Sequence, residues 1–300
     1  MSMHAVVTGG AGFIGSNLTD ELIKRGFQVT IIDDLSTGQR SNLNPKARLV
    51  EGSICDLKLM QSVLPEADYV FHLAALPRIQ PSFEDPLGHE EVNVVGTINC
   101  LLALKGSSRL KKFVYSASSA CYGTPTELPT TETALISPLS PYALQKYSAE
   151  QYALMLGERY EIPVVALRYF NVYGPRSFNE KNPFNAYSSV IGIFNHQKGA
   201  GKPLTVTGDG SQERDFVHVF DVVQANILGA TSDKHGQVYN VGAGKTISIL
   251  ELANLYNSEI VFTPERKGEA RVTWANNTKL RTELGWKPSV SLEQGLGLNG

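Results

Sequence analysis

The 300-residue chain is poor in cysteine, with Cys55, Cys100 and Cys121 alone. Their odd number and wide spacing exclude a disulfide framework or a thiolate metal cluster, and they read as small buried side chains in a reducing compartment. The six histidines fall at no metal-ligand spacing, so no metal site is expected. No apolar run approaches the roughly 20 residues that span a bilayer. The longest comparable stretch, around residues 69–76, contains His72 and reads as a buried strand. Positive charge is not in surplus, since 27 Lys and Arg face 29 Asp and Glu, a net charge of −2. A sequence-independent nucleic-acid binder needs that surplus to neutralise phosphates, so such a role is disfavoured. The serine elbow of esterases is missing as well. The first residues run straight into a strand pattern with no basic and apolar leader, which makes the cytoplasm the expected location.

What the chain does have is 42% hydrophobic residues against 19% charged, enough apolar material for a large packed core. Residues 4–8, 27–32, 48–51, 68–73, 112–116 and 163–167 are short, mostly apolar runs rich in β-branched residues. Such runs suit strands buried on both faces of a parallel sheet. Helical patterns lie between them: Ile14, Leu18 and Leu22 recur every four residues, and Tyr142, Lys146, Ala149, Ala153 and Leu156 share one stripe. Alternating strands and helices predict an α/β fold, a Rossmann-like doubly wound parallel sheet. In that architecture ligands sit beyond the carboxyl ends of the strands.

After Asn171 the rhythm becomes irregular. We expect residues 1–170 and 204–235 to form the main nucleotide-binding domain. A strand at residues 204–207 and a helix near 219–229 would return to its sheet. Residues 171–203, with a helix near 190–197, and residues 236–300 would form a smaller interwoven α/β lobe for the substrate.

Gly9, Gly12 and Gly15 follow the first strand and open the first helix. The first glycine permits the tight turn, the second lets backbone approach a pyrophosphate, and the third lets the helix pack close. The helix N-terminus then offers free N–H groups and partial positive charge to the phosphates. Asp33 ends the second strand 18 residues after Gly15. A carboxylate there accepts hydrogen bonds from both ribose hydroxyls and repels a 2′-phosphate, so the expected cofactor is NAD.

Tyr142 and Lys146 lie one helical turn apart on one face. A tyrosine at its ordinary pKa of about 10 is a poor base at neutral pH. A neighbouring ammonium and a positive nicotinamide ring would favour the phenolate. Upstream, residues 115–123 place small hydroxyl side chains at the end of the fifth strand. A serine there could hydrogen-bond a sugar oxygen and relay its proton to Tyr142.

Together these segments resemble the extended short-chain dehydrogenase/reductases, specifically the nucleotide-sugar 4-epimerases. The resemblance covers nearly the whole chain, including residues 32–38, 72–75, 93–97, 116–123, 140–146, 168–174, 208–216 and 284–288. It implies that Tyr142 deprotonates the sugar 4-hydroxyl, with Lys146 tuning it and holding the nicotinamide ribose and Ser118 as the catalytic hydroxyl beside Ser119. Hydride would pass from C4 to NAD and return to the other face of a 4-keto sugar. The resemblance further implies a cofactor site formed by Gly9, Gly12, Phe13, Ile14, Gly15, Asp33, Asp34, Ser36, Thr37, Gly38 and Ile54. Leu73, Ala74, Ala75, Asn93, Ser116, Tyr142, Lys146, Tyr169 and Phe170 would complete it.

For the substrate, Asn171, Arg214 and Arg266 match positions that grip the diphosphate, which suits the bidentate fork of arginine. Tyr187 lies in a segment, residues 182–191, that resembles the N-acetylhexosamine epimerases, and Glu269 replaces a family aspartate. Thr273 falls on the gate for the sugar 2-substituent, where a small residue admits an N-acetyl group; a one-residue slip would put Trp274 there. Arg78 replaces a smaller residue of some relatives and reads either as an exposed or phosphate-contacting arginine or as a carboxylate binder. Ser118, Ser119 and Ala120 stand where the related 4,6-dehydratases carry Thr-Asp-Glu, so neither dehydration nor decarboxylation is expected. The expected activity is therefore 4-epimerisation of a UDP-hexose, N-acetylated or plain, by a homodimer. The alternatives are a UDP-glucuronate 4-epimerase, a net NAD-dependent oxidoreductase on a sugar or steroid alcohol, and a non-catalytic NAD-binding protein.

Overall fold

Seven short apolar runs pair side by side, and the helices between them cover both faces of the resulting sheet. The computed structural model describes residues 2–178, 189–265 and 270–297. The first six strands are β1 (His4–Thr8), β2 (Gln28–Asp33), β3 (Arg48–Glu51), β4 (Tyr69–His72), β5 (Lys112–Ser118) and β6 (Val164–Tyr169). Then come β7 (Asn171–Tyr173), β8 (Leu204–Thr207), β9 (Glu213–Arg214), β10 (Phe216–His218) and β11 (Gln237–Val241). The last are β12 (Ile247–Ser248), β13 (Ile260–Thr263) and β14 (Val272–Thr273). The main sheet runs β11-β6-β5-β4-β1-β2-β3, parallel throughout. The chain winds outward from β1 to β3, then returns to β4 and winds the other way. The switch point between β1 and β4 is where loops diverge and a crevice opens at the carboxyl ends.

Alternation along the strands, with both faces covered, explains why these runs are mostly apolar without a polar face. Ala5 and Val7 pack on one face with Leu18, Leu22, Val222, Ile227 and Trp286. Val6 packs on the other with Met60, Leu101, Leu104, Ala149 and Ala153. A separate core of Tyr173, Ile191, Phe194, Leu204, Val206, Phe216, Leu252 and Tyr256 holds the second lobe.

Two strands sit on the other side of the division drawn from sequence. Strand β8 does not return to the main sheet; it pairs in parallel with β13, because Leu204 and Val206 bury against Ile191 and Phe194 of the lobe. Strand β11, assigned by sequence to the irregular lobe, is the edge of the main sheet beside β6. Its Tyr239 and Val241 bury in the core lined by the helix Val219–Thr231, which packs on that sheet as expected. Smaller shifts are that β5 runs two residues further, to Ser118, and that the helix after residue 189 spans Val190–Gly199. No described helix is long and apolar enough to cross a membrane. Cys100 and Cys121 are buried, Cys55 is half-buried, and all three are free thiols.

Candidate active site

The carboxyl ends of β1, β2, β4 and β5 open into a cavity of about 950 Å³ that continues into the second lobe. Its floor is the turn from β1 into the helix Phe13–Lys24. Gly9 takes a positive φ of 72°, and a Cβ on it would lie 2.7 Å from the Ala74 amide nitrogen. A Cβ on Gly15 would lie 2.2 Å from the Gly9 carbonyl. Neither position tolerates a side chain, and the helix starts at Gly12 without a side-chain cap. Its first N–H groups therefore face the cavity, the arrangement that binds a pyrophosphate. Asp33 ends β2 and accepts hydrogen bonds from Ala11 N and Leu35 N, each at 2.9 Å. Burial raises its carboxyl group, and these two amides partly offset that. The glycine cradle and the buried acid at the second strand end fit NAD.

Phe13, Ile14, Asp34, Ser36, Thr37 and Ile54 line the same end, with Leu73, Ala74 and Ala75 on the wall above. Ser116, Tyr169 and Phe170 line the region between, the Ser116 and Tyr169 hydroxyls lying 3.0 Å apart. Two expected cofactor residues do not face the cavity. Gly38 packs behind the Asp33 carboxylate, where a Cβ would meet Oδ1 at 2.8 Å. Asn93 sits in a π-helical turn, Glu91–Val95, with its amide committed to Leu76: it accepts from Leu76 N at 2.8 Å and donates to Leu76 O at 3.0 Å.

The Tyr142 and Lys146 pair rides on the helix Pro141–Arg159. That helix starts where Ser140 caps it, accepting from Ala143 N at 3.2 Å, with Pro141 preset for the first turn. Enclosure raises the Tyr142 phenol, while the Ser118 hydroxyl and the Arg78 guanidinium pull it down. The Lys146 Nζ lies 4.6 Å over the ring of Tyr115, whose hydroxyl donates to the Lys146 carbonyl at 3.2 Å. Burial lowers the ammonium to about 7, partly countered by Glu150. Sequence spacing placed both residues on one face but could not say what else the flexible lysine would meet. His72 is core, as its position suggested: it is buried and bonded to the Thr8 and Thr97 hydroxyls.

On the far side, Ser119, Asn171, Arg78, Arg214 and Thr273 line the cavity. Arg214 donates to the carbonyls of Glu213 and Arg271 at 2.9 and 3.2 Å. Asn171 donates to Thr273 Oγ1 at 2.7 Å and to Asp215 O at 3.2 Å, joining β7 to β14. Thr273 and not Trp274 lines the cavity; the indole nitrogen of Trp274 donates to Gly244 O at 3.1 Å. Tyr187, Arg266 and Glu269 lie outside the described residues. Among the described residues no metal-binding cluster forms.

Sequence reasoning missed Ser82, whose hydroxyl accepts from the Tyr142 amide at 3.0 Å, and Tyr115 beneath the lysine. Tyr115 stands three residues before Ser118 and had a signal; Ser82 had none. It also missed Asp215, a fully buried carboxylate that takes the amides of Ala243, Gly244 and Ala275 at 2.7–3.0 Å and ties three segments of the lobe together. Burial raises that group to about 6.

Fold and site together define a class, a dinucleotide-dependent enzyme of the extended short-chain dehydrogenase/reductase kind. The chain belongs to the NAD dependent epimerase/dehydratase family, whose model matches residues 5–242. Among solved structures it is similar to the UDP-glucose 4-epimerase of Thermotoga maritima with UDP-glucose. The two are 38% identical, the match covers 99% of this chain and 97% of that one, and the TM-score is 0.93. It is also similar to the UDP-N-acetylglucosamine 4-epimerase of Methanobrevibacter ruminantium in complex with UDP-N-acetylmuramic acid. Here the identity is 37%, the coverage 98% and 96%, and the TM-score 0.91. A third is the UDP-glucuronic acid 4-epimerase of Bacillus cereus with UDP-glucuronic acid and NAD, 31% identical over 98% and 97%, at TM-score 0.89.

Proposed function

We propose that the protein is an NAD-dependent isomerase that interconverts the C4 epimers of UDP-hexoses, UDP-N-acetylglucosamine with UDP-N-acetylgalactosamine and UDP-glucose with UDP-galactose. The observation that carries this reading is the placing of Ser118 and Tyr142 on the wall of one cavity that runs from the glycine cradle to Thr273. When bound, NAD supplies reversible hydride acceptance at the sugar C4. Tyr142 takes the 4-hydroxyl proton and returns it, so the proton never leaves the site. Ser118 hydrogen-bonds the sugar oxygen and lowers the cost of charge on the phenol. Ser119 and Ala120 follow Ser118, and neither can supply the acid an elimination needs. Asn171 and Arg214 face the diphosphate.

The sugar assignment rests on Thr273. It is small, it faces the cavity, and Asn171 holds it. In NMR of the purified protein incubated without added NAD, UDP-N-acetylglucosamine and UDP-glucose each yield their galacto isomers. Thr273→Tyr cuts turnover of the N-acetylated sugar by at least about tenfold relative to the plain one, the discrimination a filled pocket commonly reaches. No conversion of either sugar, even with NAD supplied, sinks the assignment. A second reading, UDP-glucuronate as substrate, is favoured by Arg78 on the cavity wall and is tested by adding that sugar to the same experiment. Turnover only with stoichiometric NAD would identify a net oxidoreductase instead.

We infer a homodimer from an apolar face beside the site. Leu144, Tyr152 and Met155 follow one stripe of the helix Pro141–Arg159, and Leu87 and Val95 are exposed on the segment packed beside it, Leu87 to 81%. Soluble monomers rarely expose contiguous apolar patches of this kind. Light scattering of the eluting protein should give twice the chain mass of 32.7 kDa, and Leu144→Glu with Met155→Glu should halve it. A monomeric wild type would overturn the inference.

A further inference from the structure

A single residue separates strands β9 and β10, where the chain passes from the lobe toward the main sheet. Arg214 pairs with Thr273 between β9 and β14, and Phe216 pairs with Asn171 between β10 and β7. Strand β7 follows β6 of the main sheet after Phe170, whose amide donates to Val241 O of the edge strand at 3.0 Å. Asp215, between Arg214 and Phe216, is fully buried and bonds in both directions. Its amide donates to Thr273 O at 2.9 Å, and its carbonyl accepts from Asn171 N at 3.0 Å. Its carboxylate reaches further. Oδ1 accepts from Ala243 N at 2.7 Å and Oδ2 from Gly244 N at 2.9 Å, both in the loop that leaves β11. Oδ2 also accepts from Ala275 N, just beyond β14, at 3.0 Å.

That arrangement asks for a carboxylate. Three backbone N–H groups from two segments converge on one side chain, and a carboxylate offers them two oxygens with about four lone-pair sites. Bonds to an ionised acceptor are roughly twice as strong as neutral ones, which stiffens the joint. Space is equally exacting: a Cβ on Gly242 would lie 2.9 Å from Oδ2 and 2.5 Å from the Ala275 Cβ. The segments joined here carry one wall of the cavity. Arg214 precedes Asp215, Asn171 and Thr273 bond to its backbone, and Ala275 stands two residues after Thr273. Tyr142 and the glycine cradle line the same cavity from elements packed on the main sheet. We propose that Asp215 is a positioning residue for the reaction, registering the wall that carries Arg214 and Thr273 against the side that carries Tyr142 and the cofactor. The Arg214 guanidinium is held by the carbonyls of Glu213 and Arg271. Its grip on a diphosphate therefore survives loss of the Asp215 carboxylate, and what is lost is alignment. The inference rests on the proposed function in taking Tyr142 as the base and Arg214 as a diphosphate contact.

The test compares Asp215→Asn and Gly242→Ala in the holoenzyme as purified. The first sets an amide donor against a backbone N–H; the second keeps the carboxylate and wedges a methyl group into the joint. In both, kcat should fall about tenfold or more, the scale of a remote misplacement of reacting groups. KM and the calorimetric affinity for UDP should stay within about threefold, with bound NAD retained, because binding is not what the joint supplies. The indole of Trp274 donates to Gly244 O in the same loop. Its fluorescence, isolated by subtracting Trp274→Phe, should therefore shift to the red in both variants. A wild-type kcat in both overturns the proposal. So does a weakened affinity for UDP with kcat unchanged, which would make Asp215 part of the diphosphate grip. If Asp215→Asn does not fold, Gly242→Ala decides alone. The emission needs no substrate, so a wrong sugar assignment shows as absent wild-type turnover with the emission shift intact. Wild-type emission in both variants overturns the proposal whatever the sugar.

Discussion

Tyr142→Phe should retain its fold and its NAD and lose about 10²–10⁴-fold in kcat, the contribution a positioned proton-transfer group commonly makes. The substitution removes one oxygen and no ring. Tyr142 lies near the start of a helix whose other anchors, the Ser140 cap and the buried Ala149 and Ala153, are untouched. Its amide bond to Ser82 is a backbone donor and survives. The loss should therefore fall on kcat with KM nearly constant, because the phenol differs in value between ground state and transition state rather than in binding. Progress curves on the UDP-sugar, with bound NAD measured by its absorbance after denaturation, check both halves. A variant retaining more than a tenth of wild-type kcat would remove Tyr142 from the role of base.

The second large effect is expected behind the site. Arg168, on β6, makes a fork with Glu150 at 2.8 and 2.6 Å, both side chains almost fully buried. The same guanidinium donates to the Tyr122 hydroxyl at 2.8 Å and to Glu132 O at 3.2 Å. Tyr122 then donates to Asn240, Asn240 to Thr130 O, and Thr130 N to Trp274 O, which is the neighbour of Thr273. The pair thus stands between the helix that carries Tyr142 and the segment that carries Thr273. Arg168→Met leaves a buried carboxylate without its partner and should cost about 3–5 kcal/mol. Replacing both partners, Glu150→Leu with Arg168→Met, should recover most of that loss, since an apolar pair of similar size leaves no charge stranded. Urea unfolding of the two single variants and the double checks it. Additive losses would mean that the pair is not coupled and that each residue matters through other contacts.

The parts of the site legible in sequence were those set by local geometry. The glycine spacing is readable because a turn that brings Gly9 within reach of Ala74, and Gly15 onto the Gly9 carbonyl, leaves no room for a Cβ. Asp33 is readable because a strand end fixes its distance from the glycines. Tyr142 and Lys146 are readable as neighbours because a helix repeats every 3.6 residues. Contacts between distant segments leave no such periodic mark. Asn93 lies in a recognisable motif, yet its amide serves Leu76, and Ser82 beneath Tyr142 carries no local signal at all. The same holds for Asp215, whose three partners come from two loops far along the chain.

Strands β8 and β11 draw the line between the two kinds of information. Both are short β-branched or aromatic runs, and their strand tendency is written in their residues. Which sheet each joins is not, because pairing is decided by where a strand's buried side chains find a core: Leu204 and Val206 in the lobe, Tyr239 and Val241 against the main sheet. By itself, then, the chain's sequence determined the doubly wound architecture, the cofactor cradle and the pairing of Tyr142 with Lys146 on one helix face, all consequences of short-range stereochemistry. Only the tertiary structure decided that Thr273 and not Trp274 faces the cavity, that Lys146 lies over Tyr115, and that Arg78 takes a positive φ on the cavity wall. Those outcomes depend on side chains brought together from opposite ends of the chain, competing for the same space and the same hydrogen bonds.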